Sequence, residues 1–86
     1  MPYRAVVSPD LEKALRKIKK RDRALFERLG KKMEEILEDP EVYKPLRHQL
    51  KGSRRVHIGP FVLVFEVKGD AVQFLILDHH DKAYGR

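Results

Sequence analysis

Residues 54–77 read RRVHIGPFVLVFEVKGDAVQFLIL and give the strongest indication of the fold. It contains three runs rich in β-branched and aromatic residues, separated by the pairs Gly59-Pro60 and Gly69-Asp70. Two-residue loops that begin with glycine close tight β-hairpins. The stretch therefore predicts an antiparallel meander with the second strand in the middle. Its three strands are expected at 54–58, 61–67 and 71–77.

The first half of the chain predicts a short strand followed by two helices. Residues 3–7 form the strand, and Ser8-Pro9-Asp10 then supplies an N-cap, a proline at the first helical position and an acid in the first turn. Asp22 can cap a second helix, which Asp39-Pro40 ends. Apolar residues recur at intervals of three and four along one face of each helix: Leu11, Ala14, Leu15 and Ile18 in the first, and Leu25 or Phe26, Leu29, Met33, Ile36 and Leu37 in the second.

These elements predict a single α+β domain over residues 1–86. The helices are nearly contiguous, so they should form an antiparallel hairpin that buries its apolar stripes against one face of the sheet. The expected order is an N-terminal strand, the helical hairpin and the three-stranded meander, or β-α-α-β-β-β.

The hairpin loops also determine which side chains share a face. If Ile58 pairs with Phe61, His57 lies opposite Val62. Successive residues of a strand point to opposite sides, so Arg55, His57 and Val62 should share the face away from the helices. The face covered by the helices should carry the apolar set Val56, Ile58, Phe61, Leu63 and Phe65.

A second pairing predicts the floor of the open face. If Lys68 pairs with Ala71, Leu75 and Leu77 should flank Val62 and its neighbour Val64. The open face would then be a shallow concavity with an apolar floor and basic edges.

Composition limits the class of protein. The chain has 86 residues, 42% of them hydrophobic, which is enough for one small core. It has no cysteine, so disulfides and thiolate metal sites are excluded. No segment resembles a signal sequence, and no run approaches the ~18 apolar residues of a membrane span. We therefore expect a cytoplasmic protein that does not enter membranes.

The positive charge is concentrated in one region. Residues 41–60 contain five Lys and Arg residues against Glu41 alone, so +4 of the net charge of +6 lies there. The five are Lys44, Arg47, Lys51, Arg54 and Arg55. A lysine excess can simply aid solubility, but a localised excess favours a surface that binds phosphates.

The chain ends in LDHHDKAYGR, residues 77–86. Adjacent histidines on an extended chain point to opposite faces, and no acid or histidine recurs at helical ligand spacing, so a metal site is not expected. Strand parity places His79 on the face of Arg55 and His57, unless the tail bends or bulges after Asp78. Either histidine could instead pin the tail by hydrogen bonding to a neighbouring aspartate.

The order of elements and two motifs together resemble the RelE/ParE superfamily of toxin-antitoxin toxins. LKGSRRVHIGPFVLVFEVKGDAV, residues 50–72, is similar to the family's pattern of LKG, two alternating basic residues and a hydrophobic strand. DHHDKAY, residues 78–84, is similar to the family's closing GHRRDVY. The resemblance covers nearly the whole chain.

The resemblance implies an activity. Members of the RelE branch are ribonucleases that cut mRNA in the ribosomal A site without a metal or other cofactor. The 2′-hydroxyl attacks the adjacent phosphate, one group accepts its proton, another protonates the departing 5′-oxygen, and cations stabilise the phosphorane. Matched by position, the expected catalytic residues are Arg55, His57, His79, His80 and Tyr84.

The resemblance also implies partners. Expected contacts with RNA come from Lys44, Arg47, Lys51, Arg54 and Lys82, with the ribosome and its mRNA as targets. In the predicted register Arg54 points to the helix side, so it either lies along the helices or touches ribosomal RNA. An acidic antitoxin should cover the helices and the open sheet face.

Three positions depart from the RelE pattern and leave a second hypothesis open. Val62 replaces the family's arginine on the central strand, and His57 and His80 replace basic residues, although a histidine can itself act as an acid or base near neutral pH. The alternative is a ParE-like inhibitor that binds DNA gyrase without cutting nucleic acid, or a degenerate member that only binds nucleic acid.

Overall fold

The computed structural model describes residues 3–43 and 53–79 and confirms the α+β class and the order of elements. Neither helix in these ranges is long and apolar enough to cross a membrane. The elements are β1 (Arg4–Val7), α1 (Pro9–Arg21), α2 (Arg23–Glu38), β2 (Ser53–Ile58), β3 (Phe61–Lys68) and β4 (Ala71–His79), with a short 3₁₀ turn at Pro40–Val42.

Both helices begin at the predicted caps. The Ser8 hydroxyl and an Asp22 carboxylate oxygen accept hydrogen bonds from the backbone N–H groups of Leu11 and Leu25, each at 3.1 Å. The first N–H groups of a helix have no partner within it, so such side chains stabilise its start. The predicted end of α2 before Asp39-Pro40 is also confirmed.

The strands form a four-stranded sheet in the order β1-β4-β3-β2. The predicted meander is confirmed: β3 lies between β2 and β4 and is antiparallel to both. Gly59 and Gly69 both have φ of +58°, a left-handed conformation that glycine adopts without strain and that tight hairpins require. β1 pairs with β4 in parallel, which no local signal in the sequence indicates.

The helices cover one face of this sheet and form the core with it. The core cluster consists of Leu11, Leu29 and Ile36 from the helices and Ile58, Leu63, Phe65, Val72 and Phe74 from the sheet. Of the two candidates at the start of α2, Leu25 packs against this core, whereas Phe26 is half-buried beneath Lys19, whose Nζ lies 5.5 Å from the ring centroid.

A β-bulge in β4 changes which side chains face the helices. Val64 pairs with Ile76 while Phe65 pairs with Phe74, so Leu75 is the extra residue. The carbonyl of Leu75 accepts a 2.8 Å hydrogen bond from the Ser8 hydroxyl. Beyond the bulge, Leu77 pairs with Leu63 and packs on the helix side. The prediction that Leu75 and Leu77 flank Val62 on the open face is therefore wrong.

Candidate functional site

His57 lies on the sheet face opposite the helices, as predicted. It pairs with Val62, which in turn pairs with Asp78, so the three residues form one row across β2, β3 and β4. The side chain of His57 is exposed and is not part of the core cluster. An exposed imidazole on this face is accessible to a substrate.

Arg55 shares this face, two residues before His57 on the same strand. It pairs with Val64 and is half-buried. Residues two apart on a strand have Cα atoms about 6.7 Å apart, so a guanidinium and an imidazole can approach the same group. The predicted register, which places Arg55, His57 and Val62 on one face, is confirmed.

Asp78 is a candidate that the sequence reasoning missed. The bulge at Leu75 turns it to the side of His57 and Val62, and it is half-buried. Adjacent strands lie about 4.8 Å apart, so the Cα atoms of Asp78 and His57 are separated by roughly 10 Å across Val62. Residues 74–77 are all apolar, so alternation could not reveal the bulge that brings Asp78 to this face.

His79 does not lie on the face predicted by strand parity. It pairs with Phe61, on the helix side of the register, and the two rings meet edge to face with centroids 5.7 Å apart. The strand continues through His79, and its irregularity lies earlier, at Leu75. The parity prediction failed because one extra residue moves every following side chain to the other face.

The floor of the open face differs from the predicted concavity. Val62 is only 2% exposed although it lies on the side away from the helices. Val64 is flanked by Ile76, whose side chain is 44% exposed. The floor therefore combines the covered Val62, an exposed apolar residue and the carboxylate of Asp78.

A polar pair lies in another row of the same face. Ser53 is fully buried, and its hydroxyl donates a 3.1 Å hydrogen bond to Glu66. Lys68 approaches the same carboxylate at 3.7 Å. These contacts satisfy the buried hydroxyl at the end of β2 away from His57, so this row reads as structural.

Arg54 is turned to the helix side, as the register predicted. Its Nη1 donates a 2.7 Å hydrogen bond to the carbonyl of Tyr43 and lies 3.4 Å from the carbonyl of Glu41. Arg54 thereby ties β2 to the turn that follows α2. Its predicted contact with RNA remains a prediction.

We expect Arg54→Ala to destabilise the domain by about 1.5–3 kcal/mol, because it removes a charge-assisted hydrogen bond from a partly buried carbonyl. Arg16→Ala is the matched control, since its guanidinium is exposed and lies 3.7 Å from Glu12; it should change stability by at most about 0.5 kcal/mol. Urea unfolding measures both. Equal losses in the two variants would contradict the structural role of Arg54.

Several predicted site residues lie outside the described ranges. They are His80 and Tyr84 of the expected catalytic group, and Lys44, Arg47, Lys51 and Lys82 of the expected RNA contacts.

The residues of the open face suit acid–base chemistry on an anionic substrate. An imidazole can accept or donate a proton, a carboxylate can accept one, and a guanidinium matches the geometry of phosphate oxygens. Within residues 3–43 and 53–79, no group of three or more His, Cys, Asp or Glu side chains is placed to hold a metal ion.

The chain is a small toxin of the RelE/ParE superfamily. Residues 5–84 match the family model described as ParE toxin of type II toxin-antitoxin system, parDE. The chain belongs to this family and is the toxin of a type II toxin-antitoxin system.

Two relatives are similar to nearly the whole chain. The chain is 46% identical to "Putative toxin RelE4" of Methanocaldococcus jannaschii, with 95% of this chain and 90% of that protein covered. It is 34% identical to an uncharacterized protein of Methanosarcina mazei, over 95% of this chain and 99% of that protein.

Solved structures share the fold. A chain of the E. coli DinJ-YafQ toxin-antitoxin complex superposes with a TM-score of 0.67 at 23% identity, covering 99% of this chain and 100% of its own. A chain of the chromosomal ParDE system of P. aeruginosa also gives 0.67, at 15% identity, covering 90% and 95%. At these identities the likeness concerns the fold alone.

Proposed function

We propose that this toxin is a metal-independent endoribonuclease that cuts ribosome-bound mRNA. The 2′-hydroxyl of one nucleotide attacks the adjacent phosphorus, the bond to the 5′-oxygen breaks, and a 2′,3′-cyclic phosphate and a 5′-hydroxyl result. One proton leaves the attacking hydroxyl and one reaches the departing oxygen, so the reaction needs a base and an acid but no redox partner.

The position of His57 carries this proposal. It is exposed on the open face, beside Arg55 and in the same row as Asp78. In this assignment His57 exchanges a proton with the 2′-hydroxyl or the leaving oxygen, and Arg55 stabilises the charge of the phosphorane. Asp78 lies in the row of His57, and we assign it to orient the bound nucleotide or to exchange protons with it.

The tail is proposed to supply the remaining groups. β4 ends with the pair His79–Phe61, one row beyond His57 and at the same end of the sheet. His80 follows His79 directly in the chain, and Tyr84 lies four residues further on. We assign His80 the second proton-transfer role and Tyr84 stacking on the base beside the cut, which typically contributes ~1–3 kcal/mol.

The proposed partners follow from charge and from the toxin class. A net charge of +6 suits both RNA and an acidic antitoxin that would cover the open face and the helices. The RNA contacts are assigned to Lys44, Arg47, Lys51, Arg54 and Lys82. Because the proposed substrate is ribosome-bound mRNA, the proposed location of this activity is the cytoplasm.

Inhibition of DNA gyrase without nuclease activity is the second candidate. The observation that favours it is Val62, an apolar and nearly fully buried residue at the position of the RelE branch's central arginine. Without that cation, a site for the phosphorane depends more heavily on Arg55.

The two candidates predict opposite results for the purified wild-type toxin. As a nuclease, toxin that has been treated with EDTA and then freed of the chelator should cut mRNA on translating ribosomes as well as untreated toxin, because proton transfer is assigned to side chains. Toxin inactivated by added antitoxin is the control. Intact mRNA together with inhibition of gyrase supercoiling would reject the nuclease and support the alternative.

A further inference from the structure

A cationic cavity connects His57 to the second helix. Its volume is about 360 Å³, and it lies between α2 and β2. The lining residues are Arg28, Lys31, Lys32, Glu35, His57 and Ile58. Because β2 forms one edge of the described sheet, His57 borders both the open face and this cavity.

The charge of the cavity comes mainly from two residues. Lys32 donates a 3.0 Å hydrogen bond to Glu35, which raises the pKa of Lys32 and offsets the charge of both groups. Arg28 and Lys31 form no ion pair with any other described residue. Among the described residues, therefore, these two cations line the cavity without an ion-pair partner.

The guanidinium of Arg28 lies at the end of the cavity where β2 turns into β3. A Cβ atom built on Gly59 would lie 3.7 Å from its Nη1, so the guanidinium sits over this turn, two residues beyond His57. A planar guanidinium presents paired N–H donors that match phosphate oxygens.

The neighbouring cavity along α2 has the opposite character. It is lined by Lys31, Leu37 and three acids, Glu34, Glu35 and Glu38. Carboxylates repel a phosphate backbone, so an RNA strand would follow the surface from His57 toward Arg28 and the Gly59 turn, and away from the end of α2.

We propose that Arg28 and Lys31 bind the backbone phosphate of a nucleotide next to the one that is cut, so that single-stranded RNA passes over the β2 edge. This inference rests on the proposed nuclease function and specifies how that site receives its substrate. The two residues are positioning residues, because they act on RNA beside the reacting phosphate.

The test is RNA binding by the double variant Arg28→Gln/Lys31→Gln. The probe is a fluorescent, fully 2′-O-methylated RNA of about ten nucleotides, which cannot be cut and is long enough to occupy a groove. We expect Kd to rise about tenfold at low salt. The slope of log Kd against log salt should fall by roughly 0.7, the value for one lost phosphate contact on a single strand.

Lys17→Gln/Lys20→Gln is the matched control. It removes the same charge from a second basic cavity, lined by Arg16, Lys17, Lys19, Lys20 and Arg23. This control should change Kd by less than threefold, which corresponds to a change in binding free energy of order RT. Equal effects in both double variants, or undetectable binding by wild-type protein at about 50 mM salt, would overturn the inference.

The same variants separate this inference from the nuclease proposal. The modified RNA reports binding without cleavage. If the wild-type protein binds this RNA through Arg28 and Lys31 but does not cut mRNA, only the nuclease proposal is refuted. If the wild-type protein cuts mRNA and Arg28→Gln/Lys31→Gln binds and cuts RNA equally well, only the role proposed for the cavity is refuted. The variant Arg28→Lys/Lys31→Arg keeps the charge and should restore most of the salt dependence.

Discussion

Replacing His57 with alanine is expected to slow cleavage of ribosome-bound mRNA by about 10²–10⁴-fold, the usual contribution of a general acid or base. The side chain is exposed and lies outside the core cluster, so the substitution should leave thermal stability nearly unchanged. Single-turnover cleavage, followed on gels with excess toxin, separates the chemical step from binding.

His79→Ala is the matched control for this experiment. The two histidines lie in adjacent rows, but the register places His79 on the helix side, against the edge of Phe61. Its replacement should reduce the rate less than about tenfold, below the range for a proton-transfer group. A His57→Ala toxin that cuts mRNA at the wild-type rate would contradict the assignment of His57 to the chemistry.

Phe65→Ala is expected to cause the largest loss of stability, about 3–5 kcal/mol. Phe65 is 0% exposed and its ring lies at the centre of an aromatic group, 5.8 Å from Tyr43 and 6.0 Å from Phe74 between centroids. Small domains are stable by about 5–15 kcal/mol. If the wild-type stability lies near the lower end of this range, a large part of the Phe65→Ala protein will be unfolded. Equilibrium urea unfolding measures the change.

Val42→Ala is the surface control for Phe65→Ala. Val42 is 70% exposed, so its truncation should alter the free energy of unfolding by no more than about 0.5 kcal/mol. If Phe65→Ala lowered the free energy of unfolding as little as Val42→Ala, this result would contradict the packing of the helices on β3.

Local signals account for most of the fold that was predictable from sequence. Ser8 and Asp22 cap the helices as expected, since each cap depends only on N–H groups three residues away. Gly59 and Gly69 fix the two hairpins, and with them the pairing that places His57 opposite Val62. The hairpin signals alone therefore suffice to assign Arg55 and His57 to one face of the sheet.

The bulge at Leu75 shows where local reasoning fails. Residues 74–77 are all apolar, so either face of β4 could be buried and alternation gives no register there. At the bulge, the carbonyl of Leu75 accepts a hydrogen bond from the Ser8 hydroxyl, which lies 67 positions away in sequence. As a result Asp78, and not His79, shares the face of His57.

The amino-acid sequence was enough to predict the elements, their order and the register of the β2–β3 hairpin, because these depend on backbone preferences and on hydrogen bonds between near neighbours. Three features were visible in the folded structure alone: β1 pairs in parallel with β4, Asp78 joins the row of His57, and Arg28 and Lys31 line a cavity beside it. These features arise from contacts between segments distant in the chain, whose free energy no single stretch of residues contains.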